Sequence, residues 1–181
     1  MVYIILGDGF EEIEAVAPGD ILRRGGVRVS YVGVNGPQVR GAHDIIVSAD
    51  IVMEPSLKFT REDLVVIPGG LGGVETIENS SMAIEVLKNA AEAGARFAAI
   101  CAGPRVLSRL GLLEGRDFTC YPGMEDQISG GRYLGDKGAV SDNGIITGRS
   151  PGAAIDFGLA LLEAIKGSQI AAEVRSELVY G

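Results

Sequence analysis

Residues 97–104 read Phe-Ala-Ala-Ile-Cys-Ala-Gly-Pro, a pattern typical of a buried strand that turns directly into a helix. The run that ends at Ile100 has the composition of a buried strand. Pro104 suits the first turn of a helix, where no hydrogen-bond partner waits for its missing amide. Only small residues surround Cys101 between the two elements. A side chain can therefore project from a sharp strand-to-helix turn without clashes, as in a nucleophile elbow.

Similar patterns alternate along the rest of the chain. Runs rich in β-branched residues predict strands over 2–6, 27–34, 64–67, 96–100 and 145–147, and a short hairpin or meander over 43–53. Amphipathic patterns predict helices over 11–24, 80–93, 103–110 and from Ser150-Pro151-Gly152 through residue 164. This alternation predicts one α/β domain over 1–181, with a mostly parallel sheet covered on both faces. Ligands of such folds bind beyond the carboxyl ends of the strands.

Composition excludes several classes of protein. The chain has 181 residues and a net charge of -8, which disfavours nucleic acids and anionic membranes as partners. Its apolar runs are too short to span a bilayer, and the N-terminal segment lacks the basic region of a signal peptide. Its two cysteines, Cys101 and Cys120, lack the spacing of a redox or metal motif. We therefore expect a cytoplasmic protein.

The glycine-rich turns do not indicate a cofactor. Gly7-Asp8-Gly9 begins like a dinucleotide fingerprint, but Glu11 and Glu12 follow and would repel a pyrophosphate. Residues 69–73 lack the Gly-Lys-Ser/Thr of a phosphate loop. A single histidine and two distant cysteines form no obvious metal site. We predict neither a cofactor nor a metal.

Cys101 is the one candidate nucleophile. At the N-terminus of a helix the backbone dipole favours a thiolate and lowers the pKa of a thiol. A free cysteine after an apolar strand is as often a buried, inert residue. The local sequence leaves both interpretations open.

Glu14 favours the reactive interpretation. On a helical wheel it falls beside Ile21, on the apolar stripe of the first helix. A half-buried carboxyl group there would stay protonated and donate a hydrogen bond to Cys101, whereas a carboxylate at the edge of the stripe would reach water. Pro18 lacks the amide that would bond the Glu14 carbonyl, which predicts a kink in this helix.

The remaining titratable candidates are assigned structural roles. Glu11 and Glu12 point away from the stripe, so we expect them in solvent at the first helical turn. His43 is the only histidine, and nothing in the sequence places it beside Cys101. We predict an exposed position for it and therefore no Cys-His hydrolase. Cys120 follows an apolar stretch and is predicted to be structural.

Four motifs carry a resemblance to a known family. They are Glu11-Glu12-Ile13-Glu14-Ala15, Val66-Ile67-Pro68-Gly69-Gly70, Ala98-Ala99-Ile100-Cys101-Ala102-Gly103-Pro104 and Gly148-Arg149-Ser150-Pro151-Gly152. Their order and spacing resemble the ThiJ/PfpI superfamily and, within it, the Parkinson-disease deglycase ("DJ-one") branch, over essentially the whole chain. The resemblance implies a flavodoxin-like three-layer sandwich and a homodimer whose interface includes the first helix and residues 43–53. It also implies a catalytic pair made by Cys101 and Glu14.

The resemblance further implies a function. Members of the branch convert 2-oxoaldehydes such as methylglyoxal to hydroxy acids without glutathione, or reverse early glycation, and they use no cofactor. On that basis Cys101 attacks the carbonyl, Glu14 moves protons, the amides of Gly70 and Ala102 stabilise an oxyanion, and Tyr121 positions the substrate. Branch members carry a histidine where this chain has Tyr121, and a phenol is a poor base at neutral pH.

Two alternatives share this site. One is a redox sensor in which Cys101 is oxidised to a sulfinate that Glu14 stabilises. The other is a dimeric member of the family without catalysis. The hydrolytic relatives are excluded, because the protease-like branch needs a histidine where this chain has Ala102. The amidotransferase relatives need a histidine after the nucleophile, and none follows Cys101.

Overall fold

A computed structural model describes all 181 residues, and strands and helices alternate in it as the patterns predict. The strands are β1 (Val2–Leu6), β2 (Val29–Gly33), β3 (Gln38–Arg40), β4 (Ile46–Ser48), β5 (Ile51–Val52), β6 (Leu64–Ile67), β7 (Arg96–Ile100), β8 (Asp117–Phe118), β9 (Arg132–Tyr133), β10 (Ala139–Asp142) and β11 (Ile145–Gly148). The α-helices are α1 (Glu12–Arg24), α2 (Leu71–Asn79), α3 (Ser81–Glu92), α4 (Pro104–Arg109), α5 (Ala154–Lys166) and α6 (Ser168–Glu177).

Seven of the strands form one central sheet in the order β10-β11-β7-β6-β1-β2-β5. All neighbouring pairs are parallel except β10 and β11, which form an antiparallel edge. The predicted mostly parallel sheet is therefore confirmed. Strands β3 and β4 form a separate antiparallel hairpin, while β8 and β9 form a small parallel pair.

Helices cover both faces of this sheet, which gives three layers. Side chains alternate along each strand, so Ile4 and Leu6 of β1 pack on one face and Ile5 packs on the other. The first face packs against α1, α5 and α6, with Phe157 fully buried among them. The second face packs against α2, α3 and α4. None of the six α-helices combines the length and the hydropathy of a membrane span.

Several predicted boundaries differ from the structure. The strands predicted at 64–67 and 96–100 are confirmed residue for residue. Helix α2 was not predicted, because its first turn reads Leu71-Gly72-Gly73 and glycine disfavours helix. The predicted hairpin over 43–53 is wrong in its pairing, since β4 pairs with β3 and β5 joins the central sheet. Pro18 lies inside α1, which continues unbroken to Arg24.

The topology brings three loops together at one edge of the sheet. Strands β1, β6 and β7 are adjacent and parallel, so their carboxyl ends lie side by side. The chain leaves β1 toward β2 and leaves β6 toward β7, in opposite directions, so a crevice opens between β1 and β6. The segments that follow these strands carry Glu14, Gly70 and Cys101.

Candidate active site

Cys101 occupies the turn between β7 and α4 with a backbone conformation that L-residues rarely adopt. Its φ is +63°, in the left-handed region, where a side chain costs about 1–2 kcal/mol relative to ordinary backbone. Two hydrogen bonds hold this conformation. The Cys101 amide donates to the Gly148 carbonyl at 2.9 Å, and the Cys101 carbonyl accepts from the Tyr121 amide at 3.0 Å. The sharp strand-to-helix turn predicted at Cys101 is therefore present, and its positive φ adds strain that the sequence did not predict.

Two backbone amides converge on the Cys101 sulfur. They belong to Ala102 in the same turn and to Gly70 at the end of the loop that follows β6. Gly70 has a φ of +83°, and a Cβ at this position would lie 2.6 Å from the Glu11 nitrogen. Glycine is therefore required there on grounds of both conformation and space. The amides of Gly70 and Ala102 can therefore donate hydrogen bonds to a negative charge on or near the sulfur.

Glu14 lies beneath the sulfur and is fully buried. One carboxyl oxygen, Oε2, accepts a hydrogen bond from the Gly69 amide at 2.7 Å. The other, Oε1, is buried and has no hydrogen-bond partner. Cys101 adjoins this carboxyl group, since a Cβ added at Gly69 would lie 2.5 Å from Oε2 of Glu14 and 2.7 Å from the Cβ of Cys101. Of the two alternatives that the sequence left open, the buried carboxyl group beside Cys101 is the correct one.

Glu11 fixes the start of the helix that presents Glu14. Its carboxylate accepts a hydrogen bond from the Glu14 amide at 2.9 Å, so Glu11 caps α1. Its own amide donates to the Gly69 carbonyl at 3.0 Å. The Gly69 amide thus bonds the Glu14 carboxyl group, and the Gly69 carbonyl bonds the Glu11 amide. These two bonds hold the carboxyl group of Glu14 against the Cys101 turn.

The two acidic groups titrate as a coupled pair. Burial raises the pKa of Glu14 to about 7, although the hydrogen bonds from Cys101 and Gly69 oppose the shift. Burial also raises the pKa of the Cys101 thiol, and the negative charge of Glu14 raises it further. The thiol pKa was expected to be lowered at the helix terminus; the amides of Ala102 and Gly70 do lower it, but burial and Glu14 outweigh them. The pair therefore loses its first proton near pH 7 and holds its second far more tightly.

Replacing Glu14 by glutamine is expected to remove a pH dependence from stability. A carboxyl group with pKa 4.5 unfolded and about 7 folded binds more protons in the folded protein between those values, so stability falls as pH rises through this window. Below pH 4.5 Glu14 causes no loss of stability, and above pH 7 its ionisation lowers the free energy of unfolding by about 3 kcal/mol. The free energy of unfolding, measured with urea at pH 4 and pH 8, should therefore be higher for Glu14→Gln than for wild type only at pH 8.

The matched control for this measurement is Glu85→Gln, on the exposed face of α3. This substitution removes the same charge from a side chain in solvent, so its stability relative to wild type should hardly change between the two pH values. A Glu14→Gln variant that behaves like Glu85→Gln would contradict the buried, proton-sharing carboxyl group.

A cavity of about 430 Å³ opens above the sulfur. Besides Cys101, Ala102 and Gly70 it is lined by Glu11, Ala42, His43, Leu71, Tyr121, Pro122, Gly123 and Met124. Cys101 is 8% exposed, so the cavity gives a small molecule access to an otherwise buried sulfur. Tyr121 is half exposed at the cavity wall. The predicted residues Cys101, Gly70, Ala102 and Tyr121 thus meet at one cavity, with Glu14 below it.

His43 also lines this cavity, contrary to the sequence interpretation. Its side chain is exposed, as predicted, but it stands on the same cavity as Cys101. Its Nδ1 lies 2.9 Å from Oε2 of Glu12, and its amide donates to Oε1 of the same carboxylate at 2.7 Å. The hydrogen bond and charge of Glu12 raise the pKa of His43.

Glu11 and Glu12 are buried, so the prediction that they lie in solvent is wrong. A helical wheel describes which side chains share a face of α1. It does not show that the Glu11 carboxylate caps the helix at the Glu14 amide, or that the Glu12 carboxylate bonds the loop that carries His43. Ligand atoms of Glu11, Glu12 and His43 lie within 4.8 Å of one another, a cluster that sequence reasoning did not identify. Internal hydrogen bonds already use both carboxylates, so this cluster is explained without a metal.

Cys120 is fully buried, and burial raises its pKa to about 12. It does not line the cavity. These observations fit the structural role predicted for it.

The model of the DJ-1/PfpI family matches residues 1–164 of this chain. The chain is 37% identical to protein dj-1beta of Drosophila melanogaster over 180 residues, covering 97% of this chain and 95% of that protein. The crystal structure of Drosophila DJ-1beta superposes with a TM-score of 0.91, covering 99% of this chain and 97% of that one.

Two further similarities bear on the site. A Caenorhabditis elegans protein named glutathione-independent glyoxalase DJR-1.2 is 35% identical over 161 residues, covering 88% of this chain and 84% of that protein. The structure of oxidised Toxoplasma gondii DJ-1 superposes with a TM-score of 0.90 at 32% identity, covering 99% of this chain and 98% of that one.

Proposed function

Because the chain belongs to the DJ-1/PfpI family, we propose that it is a cofactor-independent enzyme that acts on small reactive carbonyl compounds through Cys101. The observation that carries the proposal is a sulfur at the floor of an open cavity, paired with a buried carboxyl group of pKa about 7. The naming of one relative as a glutathione-independent glyoxalase supports a 2-oxoaldehyde as substrate. Glycated groups, which present similar carbonyl chemistry, are the alternative substrate class.

The first step is addition of the sulfur to the aldehyde carbon. The Cys101 sulfur forms the new S–C bond, and the thiol proton passes to the Glu14 carboxylate. The π electrons of the carbonyl move to its oxygen, and the proton on Glu14 then neutralises the resulting alkoxide to give a hemithioacetal. A carboxylate of pKa about 7 suits this exchange, because it takes and returns a proton readily at neutral pH.

Two groups at the cavity assist this addition. The amides of Gly70 and Ala102 point at the site of negative charge, first on sulfur and then on the carbonyl oxygen. Tyr121 lies at the cavity wall with its phenol accessible, where it would orient the bound carbonyl compound. No histidine follows Cys101, so this mechanism assigns no histidine next to the nucleophile in sequence.

The test is hydroxy-acid formation from methylglyoxal by wild type, Cys101→Ala and Glu14→Gln. Wild type should turn the substrate over, and Glu14→Gln should be slower by about 10²-fold, because an amide keeps the hydrogen bonds but cannot accept the thiol proton. Equal rates in all three proteins would discard the mechanism.

Oxidation of Cys101 to a sulfinate is a second candidate function. It is favoured by the three hydrogen-bonding groups around the sulfur, namely Glu14 and the amides of Gly70 and Ala102, and by the similarity to an oxidised relative. Mild peroxide followed by mass analysis should place two oxygen atoms on Cys101. Oxidation of the fully buried Cys120 before Cys101 would contradict a redox-sensing function.

We propose further that the protein is a homodimer. Ile13 and Val16 on α1 and Ile45 and Ile46 near β4 are exposed apolar side chains on the two segments that the family resemblance assigns to the interface. A dimer would remove them from water. Sedimentation equilibrium should give twice the chain mass, and a monomer at micromolar concentration would contradict this proposal. Two free cysteines fit the cytoplasm as its compartment.

A further inference from the structure

The proposed reaction needs a base on the cavity side of the sulfur. A hemithioacetal of a 2-oxoaldehyde becomes a hydroxy acid by the enediol route when a proton leaves C1 and returns at C2. Glu14 is fully buried and does not line the cavity, so its carboxyl group serves the sulfur and not the carbon atoms of a bound substrate.

Four titratable side chains line the cavity, and three of them do not suit this role. Cys101 is the nucleophile. Glu11 is committed to capping α1, with its carboxylate bonded to the Glu14 amide at 2.9 Å. Tyr121 carries a phenol, which suits hydrogen bonding to a substrate better than removal of a proton from carbon. His43 is the fourth.

The contacts of His43 prepare its ring for proton transfer. A carboxylate oxygen can only accept, so the bond at 2.9 Å to Glu12 places the proton of the neutral imidazole on Nδ1. The free lone pair is then on Nε2. Glu12 is 5% exposed and also accepts from the His43 amide at 2.7 Å, so it fixes both the backbone and the ring. A buried carboxylate that orients an imidazole is the arrangement of known general bases.

We propose that His43 is the catalytic base that moves the substrate proton from C1 to C2, with Glu12 as its positioning residue. The inference rests on the proposed function.

The step is balanced within the substrate. Nε2 of His43 takes the proton of C1, the C1–H electron pair forms a C1–C2 double bond, and the C2 carbonyl electrons move to oxygen, giving an enediolate. The hydroxyl proton of C1 then passes to the C2 oxygen, and its O–H electron pair forms the C1 carbonyl. The C1–C2 π electrons take the proton back from His43 at C2, which leaves a thioester between C1 and Cys101. Water then cleaves the C1–S bond and releases the hydroxy acid. C1 is oxidised and C2 is reduced, so no external oxidant or reductant takes part.

The test compares His43→Gln and His43→Ala with Asp44→Asn in methylglyoxal turnover. Asp44 is the next residue, is highly exposed and pairs only with Arg40, so its amide variant should match wild type. Both His43 variants should lose about 10²-fold in kcat. Glutamine can still donate to Glu12, so recovery of wild-type turnover in His43→Gln would reduce His43 to a structural contact and overturn the proposal.

A second measurement separates proton transfer from the attack by sulfur. In His43→Gln the methylglyoxal adduct should still form on Cys101, and intact-mass analysis should show it accumulating because the next step is slow. Loss of the adduct together with turnover would show that His43 supports the addition and would overturn its role as base. If wild type forms no hydroxy acid at all, the proposed function fails; if wild type is active and His43→Gln equals it, only the assignment of His43 fails.

Discussion

Cys101→Ala is expected to lower kcat/KM for methylglyoxal by about 10³-fold or more, because no other group in the cavity can form the covalent intermediate. Alanine retains the small volume of the site and accepts the same backbone conformation as cysteine. The variant should therefore fold, and circular dichroism and urea unfolding should show this. Product formation and intact-mass analysis measure the loss of turnover and of the adduct.

Cys120→Ala is the matched control for this loss. Cys120 is the only other cysteine and lies outside the cavity lining, so its replacement should retain turnover at a small cost in stability. Loss of activity in Cys120→Ala equal to that in Cys101→Ala, or activity that survives in Cys101→Ala, would contradict the assignment of the nucleophile.

Gly69→Ala is expected to impair both stability and catalysis. A Cβ at this position would lie 2.5 Å from Oε2 of Glu14 and 2.7 Å from the Cβ of Cys101. Backbone holds Cys101 in place and Glu14 is fully buried, so neither can move away without disturbing the pair. We expect a loss of about 1–3 kcal/mol in unfolding free energy and of about 10²-fold in kcat/KM.

Gly152→Ala provides the comparison for a glycine whose replacement is not crowded. The nearest atom to its added Cβ is Oγ of Ser150 at 3.8 Å, an ordinary contact. Turnover and the urea midpoint should remain close to wild type in this variant. If Gly69→Ala is equally well tolerated, the close packing of Gly69, Glu14 and Cys101 does not govern the site.

Local sequence patterns correctly predicted the helices and strands whose residue types match their burial in the fold. The apolar run of β6 and the run of small residues after β7 reflect burial on both faces and a crowded turn, so their positions were predicted correctly. Glu14 was identified by its position on the apolar stripe of α1, since a helix with one buried face fixes which residues point inward.

Features that depend on distant segments could not be predicted in this way. The glycines at the start of α2 are typical of a turn and do not predict a helix. A Cβ at Gly73 would lie 2.7 Å from the Phe10 backbone, so glycine is needed there because the Phe10 segment packs closely against α2. The burial of Glu12 depends on His43, 31 residues later in the chain. The raised pKa of Cys101 likewise depends on burial and on a carboxyl group from another element.

The central claim is that Cys101 and Glu14 act as one acid, and the pH dependence of Cys101 alkylation by iodoacetamide tests it most directly. In wild type the rate should rise only well above the pH at which an ordinary thiol ionises, because burial and the Glu14 carboxylate both raise the pKa of the Cys101 thiol. In Glu14→Gln the negative charge is gone, so the midpoint should move to lower pH than in wild type. Coincident curves for the two proteins, both centred near the pKa of about 8.5 of an ordinary thiol, would contradict the account.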